Sequence, residues 1–143
     1  VKPILQNYLR AIRERLDAAG VHAPVVMIKS NGGEMSLAAA REQPVQLTLS
    51  GPTGGVVATR EVARELGLAR AVTLDMGGTS TDCSTVVDGK ISFTTDFEIE
   101  FGLPIQIPMI DIRTIGAGGG SIAWIDKGGM LRVGPESAGA NPG

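Results

Sequence analysis

The chain has 143 residues, 43% of them hydrophobic, and a formal charge of -2 with no basic stretch of interleaved aromatics. One modest domain with a real core is expected, and nucleic acid is not an expected partner. A single cysteine, Cys83, excludes an internal disulfide and a cysteine-built metal site; a single histidine, His22, excludes a histidine cluster. The apolar runs are too short to span a bilayer and no signal peptide is visible, so no membrane partner and a cytoplasmic placement are expected. The first residue is Val1 and the last are Asn141-Pro142-Gly143, in a glycine- and proline-rich stretch, so a piece of a longer polypeptide is expected.

Residues 2–19 place Ile4, Leu5, Tyr8, Leu9, Ile12 and Leu16 on one stripe, the spacing of an amphipathic packing helix, with Gly20 just past its end. His22 has no evident partner there and is read as non-catalytic. Pro24 to Ile28 is predicted as a buried strand ending in Lys29-Ser30-Asn31-Gly32-Gly33. Ligands gather at such strand ends in parallel α/β sheets, but Asn and Gly equally mark a plain turn before a helix. Ser36 is placed to cap a short helix over 37–41, which Pro44 stops. Val45 to Leu49 alternates like a half-buried strand, and Ser50-Gly51-Pro52-Thr53-Gly54-Gly55 reads as a glycine turn into a helix marked by Val56, Val57, Val62, Ala63 and Leu66 and ended by Gly67. The helix start offers free N–H groups, while Gly54 and Gly55 also suit close helix–strand packing.

A third strand, 71–75, enters Asp75-Met76-Gly77-Gly78-Thr79-Ser80-Thr81-Asp82; Cys83 to Val87, a turn at Asp88-Gly89 and Lys90 to Phe93 follow. Strand and helix alternate up to this point, which predicts an α/β sheet with helices on its faces, extended by an antiparallel hairpin. Asp96, Glu98 and Glu100 alternate with Phe97, Ile99 and Phe101, as on a strand with one solvated and one buried face. Residues 103–110, with Pro104 and Pro108, read as extended edge chain. Gly116-Ala117-Gly118-Gly119-Gly120-Ser121 is the densest glycine run; Ile122–Asp126 and Met130–Val133 form a predicted hairpin across Lys127-Gly128-Gly129, and 134–143 reads as loop. The composition shifts near residue 95, dividing an α/β part, 1–95, from a glycine-rich β and loop part, 96–143.

Several templates fail. No glycine turn is followed by Lys-Ser or Lys-Thr, as a P-loop requires. The run 116–121 nearly fits a dinucleotide fingerprint, but its last position is Ser121 and no clear helix follows. The serine-hydrolase elbow breaks at Ala123 around Ser121 and at Pro135 around Ser137. The turn 75–82 survives. No lysine or arginine lies between Arg70 and Lys90, so phosphate binding there rests on backbone dipoles, hydroxyls and a divalent cation. Asp75, at its strand end, is suited to hold waters of a Mg²⁺ ion, which keeps a partly aqueous shell. Gly77 and Gly78 allow backbone to approach phosphates, Thr79, Ser80 and Thr81 add donors, and Asp82 either fixes the turn or touches the metal. An ordinary polar turn between two strands fits the same residues.

The turn resembles the second phosphate motif, Asp-x-Gly-Gly-Gly-Thr-x-Asp, of the actin, sugar-kinase and heat-shock ATPase superfamily: Asp75, Gly77, Gly78 and Asp82 match, with Thr79 and Ser80 at the third glycine and the threonine. The fuller resemblance is to the hydantoinase A and 5-oxoprolinase family. It is carried by 29–33, 49–56, 75–82, 115–123 and 133–140, in the family's order and spacing, with Thr53 where alanine is usual and Cys83 where valine is usual. The resemblance implies an α/β fold with a ribonuclease-H-like (actin-like ATPase) core, a β-hairpin extension and glycine-rich loops. It implies ATP and Mg²⁺ as cofactors and ATP-dependent opening of a cyclic amide such as hydantoin or 5-oxoproline by phosphorylation of the amide oxygen. Asp75 and Asp82 are then the catalytic candidates and Gly77, Gly78, Thr79, Ser80 and Thr81 the phosphate-binding ones, with Gly116, Gly118, Gly119, Gly120 and Ser121 close to the active cleft; a structural glycine turn stays open for that run. A hydantoinase B-type partner subunit or domain is implied too. Family members also carry an earlier Asp-x-Gly-Gly-Thr turn and a later adenosine motif that these residues lack, so a central fragment, inactive by itself, is expected. Two other readings stand beside this one: the ATPase subunit of an acetone- or acetophenone-type carboxylase, and an ATP-gated, chaperone-like binding protein.

Overall fold

The structure is a computed structural model and describes residues 2–95, 97–99 and 103–139. In chain order its elements are α1 (Lys2–Ala18), β1 (Val26–Ile28), β2 (Glu34–Ser36), α2 (Leu37–Glu42), α3 (Ser50–Glu65), β3 (Arg70–Met76), β4 (Thr81–Val87) and β5 (Lys90–Ile91). They continue with β6 (Phe93–Thr94), β7 (Phe97–Ile99), β8 (Leu103–Ile105), β9 (Met109–Ile110), β10 (Arg113–Ile115), β11 (Ser121–Ile125) and β12 (Leu131–Ser137). The fold is mixed α/β, in two compact units: Val1–Val57 with Ser92–Ile110, and Ala58–Ile91 with Asp111–Gly143.

In the first unit α1 forms as its apolar spacing dictates. Leu9 is fully buried and Leu5, Ile12 and Leu16 are half-buried, but Ile4 and Tyr8 of the same stripe lie exposed. Gly20 takes a φ of 74, and Gly20 N–H to Asp17 O and Val21 N–H to Leu16 O close the helix. β1 departs from the expected buried strand: Val26 and Ile28 are exposed and β1 pairs antiparallel with β2. Residues 29–33 are therefore a hairpin turn, held by Lys29 N–H to Gly33 O (2.7 Å) and Gly33 N–H to Asn31 Oδ1 (3.0 Å), with Gly32 at a φ of 81. Ser36 caps α2 as expected, its Oγ accepting from Ala39 N–H at 3.2 Å.

Residues 45–49 are not a strand. Pro44–Leu47 is a 3-10 turn, Pro44 fixing φ at its first position. The carbonyls a neighbouring strand would have used are taken by Ser30, whose N–H and Oγ donate to Gln46 O (2.7 and 2.8 Å) and whose Oγ also reaches Thr48 O at 2.5 Å. Leu49 then adopts a φ of 55 and α3 begins at Ser50. The expected glycine turn 50–55 is thus the opening of the helix; Pro52 is tolerated there because first-turn N–H groups have no intrahelical acceptor. Thr53, fully buried, donates through Oγ1 to Leu49 O (2.8 Å) and to Ser30 O (3.4 Å), which also accepts from Ile110 N–H (2.8 Å). Ser30→Ala removes a buried donor that serves two carbonyls, and is expected to cost about 1–3 kcal/mol of stability in denaturant unfolding.

β6 pairs with β9 and β7 with β8, all antiparallel. Within 103–110, β8 and β9 are strands paired on one side only, as the edge reading expects, and the side chains of Met109 and Ile110 are buried. The alternating face expected over 96–101 lies outside the residues whose side chains are described.

In the second unit the sheet order is β10-β4-β3, with β5 on β4. Every pairing among the described residues is antiparallel, as expected for the hairpin after β3, but the expected sheet of strands alternating with helices is not found in them: β1 pairs with β2 and 45–49 is no strand. β3, β4 and β5 follow one another through tight turns, as antiparallel strands can. The Asp88-Gly89 turn has φ values of 50 and 70, the primed turn those residues favour. β11 and β12 form the hairpin expected across 127–129, and β12 runs on to Ser137 where loop was expected, because Ser121 pairs with Ser137 and Ala138 N–H donates to Gly120 O at 2.7 Å.

Asp126 organises the hairpin end. Its carboxylate accepts from Met130 N–H (3.0 Å), Arg132 Nε (2.8 Å) and Gly128 N–H (2.9 Å), which together hold its carboxyl below the ordinary range. A carboxyl depressed in the folded state adds stability above its unfolded pKa, and that stability is lost as pH falls through the folded value. Acidification from about pH 6 to about pH 3 is therefore expected to speed exchange of the Met130 amide beyond its intrinsic rate, and Asp126→Asn to remove that pH dependence in hydrogen-exchange mass spectrometry.

Candidate functional site

β3 and β4 pair in register from Arg70↔Val87 to Met76↔Thr81, leaving Gly77-Gly78-Thr79-Ser80 as the turn, closed by Gly77 N–H to Ser80 O at 2.9 Å. Neither glycine sits at a positive φ. A Cβ on Gly78 would meet no atom within 4 Å, and one on Gly77 only Ser80 O at 3.7 Å. The turn itself therefore does not demand glycine at either position. Among the described residues no acceptor takes the N–H of Gly78, Thr79 or Ser80, and no partner engages the Thr79 or Ser80 hydroxyl.

Asp75 and Asp82 stand directly opposite one another, so their side chains leave the same face. Asp75 is exposed and its carboxylate has no ion pair or hydrogen bond among the described residues; Asp82 is half-buried. Like charges so placed destabilise a strand pair, and a cation relieves them. β10 extends the row: Thr114 pairs with Asp82, and its Oγ1 donates to Asp82 Oδ1 at 2.5 Å. Nothing in the sequence pattern marks Thr114; only strand register brings it to the carboxylate. Asp82 makes none of the turn-fixing bonds considered for it, since its partner is Thr114.

The two glycine stretches, far apart in sequence, lie against each other. Gly119 N–H donates to Gly77 O at 2.9 Å and Gly120 N–H to Gly78 O at 2.8 Å. Thr81, expected among the phosphate donors, is 3% exposed and its hydroxyl donates instead to Ala117 O at 2.6 Å. Its side chain leaves the sheet on the face opposite Asp75 and Asp82, because neighbouring residues along a strand alternate. Ser121 supports the loop: its Oγ accepts from Gly118 N–H at 2.9 Å and its own N–H donates to Gly118 O at 3.0 Å. A Cβ on Gly116 would meet nothing within 4 Å.

No group of three or more His, Cys, Asp or Glu that could hold a metal occurs among the described residues. Two carboxylates beside hydroxyls and open N–H groups do not make an all-protein cage. They suit Mg²⁺, which takes one or two carboxylates and completes its shell with water and phosphate oxygens. The stretches 29–33 and 49–56 belong to the first unit, where Ser30 and Thr53 tie them to each other. No helix of the described residues is long and apolar enough to cross a membrane.

Similarity to known proteins runs over the whole chain. Caprolactamase subunit alpha of Pseudomonas jessenii is 40% identical over 143 residues, covering 100% of this chain and 20% of that protein. The crystal structure of the ATP-dependent caprolactamase from the same organism matches with a TM-score of 0.77 at 39% identity, over 100% of this chain and 20% of that one. The 5-oxoprolinase of Saccharomyces cerevisiae is 36% identical over 144 residues, 99% of this chain and 11% of the enzyme. A nucleotide-free structure of acetone carboxylase matches with a TM-score of 0.76 at 27% identity, over 94% of this chain and 19% of that one. The chain thus spans a fifth or less of these relatives. The family model for hydantoinase/oxoprolinase matches residues 1–143, and the chain belongs to that family.

Proposed function

We propose that the complete protein uses Mg-ATP to hydrolyse a cyclic amide, and that residues 75–82 hold the nucleotide's phosphates. The observation that carries this reading is the turn 77–80, whose N–H groups at 78–80 and hydroxyls at 79 and 80 have no partner among the described residues, beside a facing pair of carboxylates. The N–H groups of Gly78 and Thr79 and the hydroxyls of Thr79 and Ser80 are the phosphate donors. Asp75 orients the water shell of the metal. Asp82 shares that face, one of its oxygens held by Thr114. Thr81 is removed from the donor set and anchors the glycine loop.

When bound, Mg-ATP supplies a phosphoryl group that activates the amide oxygen, leaving the carbonyl carbon open to water and the ring C–N bond to cleavage. The chain's own part is to bind, orient and fix. The finer fold we infer is a ribonuclease-H-like core, with residues 1–143 part of one hydantoinase A-type domain. A partner subunit is inferred too, since one relative is named as a subunit alpha.

The carboxylase reading is favoured by the acetone carboxylase match and by the acetophenone carboxylase gamma subunit of Aromatoleum aromaticum, 34% identical over 97% of this chain; the caprolactamase structure is higher in identity than the acetone carboxylase one, 39% against 27%. An ATP-turnover assay on the complete protein with its partner separates them. Stimulation by 5-oxoproline, hydantoin or caprolactam is the expected result. Stimulation only by acetone or acetophenone with bicarbonate, or only by unfolded peptides, would sink the amidohydrolase reading.

A further inference from the structure

The run 116–121 packs on the phosphate turn through its backbone, and the direction of those bonds has a consequence for the turn. In a trans peptide the C=O and the following N–H point in opposite directions. The one cis bond among the described residues is Gly134–Pro135, so the peptides joining 77 to 78 and 78 to 79 are trans. Gly77 O is turned into the glycine loop by Gly119 N–H, and Gly78 O by Gly120 N–H. The N–H of Gly78 and the N–H of Thr79, which share those two peptide planes, therefore point away from the loop, side by side. Successive N–H groups facing one way make an anion-binding concavity.

We infer that Gly118-Gly119-Gly120 is the template that aims these N–H groups, with Gly118 and Gly120 as positioning residues and Gly119 not itself in contact with nucleotide. The inference rests on the reading of 75–82 as the phosphate turn. Spacing within the loop supports it. A Cβ on Gly118 would lie 2.6 Å from Gly77 O, 2.7 Å from Ser80 N and 2.8 Å from Gly78 C, all backbone atoms that no rotamer can move. A Cβ on Gly120 would lie 2.9 Å from Gly78 O and 3.0 Å from Ser137 Oγ. A Cβ on Gly119 would come no closer than 3.8 Å to Gly77 O, and one on Gly116 would meet nothing within 4 Å. Glycine is thus demanded at 118 and 120 and not at 116 or 119. Were the loop itself the ligand's neighbour, the open positions 116 and 119 would be the sensitive ones.

The test is calorimetric titration of a non-hydrolysable Mg-ATP analogue into the complete protein, paired with thermal melting. Gly116→Ala and Gly119→Ala are expected to bind within about twofold of wild type, and Gly118→Ala and Gly120→Ala at least about tenfold more weakly. Thr81→Val needs no clash. It deletes the 2.6 Å anchor at Ala117 O and keeps the side chain's shape, so it reads the template even where Gly118→Ala fails to fold. About five- to tenfold weaker binding in Thr81→Val, restored by Thr81→Ser, is expected. Unchanged affinity in Thr81→Val, or Gly119→Ala as weak as Gly120→Ala, overturns the inference. Asp75→Asn separates the two levels: if it and the loop variants all bind as wild type, the phosphate-turn reading has failed; if it alone weakens binding, only the template has.

Discussion

Asp75→Asn in the complete enzyme is expected to lower turnover by more than about tenfold while leaving the fold as stable as before or slightly more so. The loss follows from the proposed role. An aspartate that orients the waters of Mg²⁺ contributes charge and direction, and asparagine keeps the shape but supplies neither, so metal-dependent stabilisation of the transferring phosphoryl group falls. The gain in stability follows from register. Asp75 faces Asp82 directly across β3 and β4, and removing one of two facing like charges relieves roughly 0.2–1 kcal/mol of repulsion. Opposite signs for activity and stability mark a functional residue better than lost activity does, because damage to the fold lowers both. Turnover and melting temperature measured on one preparation decide it. Near-normal turnover would remove Asp75 from the site.

Gly78→Ala is the second substitution expected to separate function from fold. Position 78 is not at a positive φ and a Cβ there would meet no atom of the chain, so alanine fits the turn. By restricting the unfolded chain it should stabilise by about 0.4–1 kcal/mol. The same methyl group stands where the backbone has to be approached closely for phosphate oxygens to reach the N–H groups of Gly78 and Thr79. Each charge-assisted bond lost is worth about 1.5–3 kcal/mol, so Mg-ATP affinity is expected to fall about tenfold to a hundredfold. Calorimetry and denaturant unfolding give the two numbers. Unimpaired affinity would mean that the phosphates do not approach this backbone.

Local features were legible in the sequence. Helix α1 and its Gly20 terminus, the Ser36 cap, the Asp88-Gly89 turn and the hairpin across 127–129 each depend on residues a few positions apart. What misled was tertiary. Val45 to Leu49 alternates as a strand does, yet its carbonyls go to Ser30, so no strand partner reaches them. The glycines after Ser50 suggested a turn, but a helix start tolerates glycine and proline in its first turn. Strand–helix alternation suggested one sheet with helices on its faces, yet β1 pairs with β2 and 45–49 is no strand. Apolar spacing within one stretch does not show what covers it, and Ile4, Tyr8, Val26 and Ile28 lie exposed.

Within the candidate site, both glycine stretches stood out by composition. Their docking did not, because it depends on backbone bonds between residues about forty positions apart. Thr81 illustrates the same limit. Its hydroxyl sits among other hydroxyls in sequence, but strand alternation turns it to the opposite face, toward Ala117. Thr114 carried no signal at all beyond a hydroxyl near a glycine run, and register alone gives it Asp82.

Hydrogen exchange, followed by mass spectrometry on the complete protein with and without saturating Mg-ATP, tests the central claim most directly. The N–H groups of Gly78, Thr79 and Ser80 have no acceptor among the described residues, so peptides covering 76–81 should exchange fast without nucleotide and gain strong protection with it. Nucleotide bound at saturation with exchange over 76–81 unchanged would contradict the account.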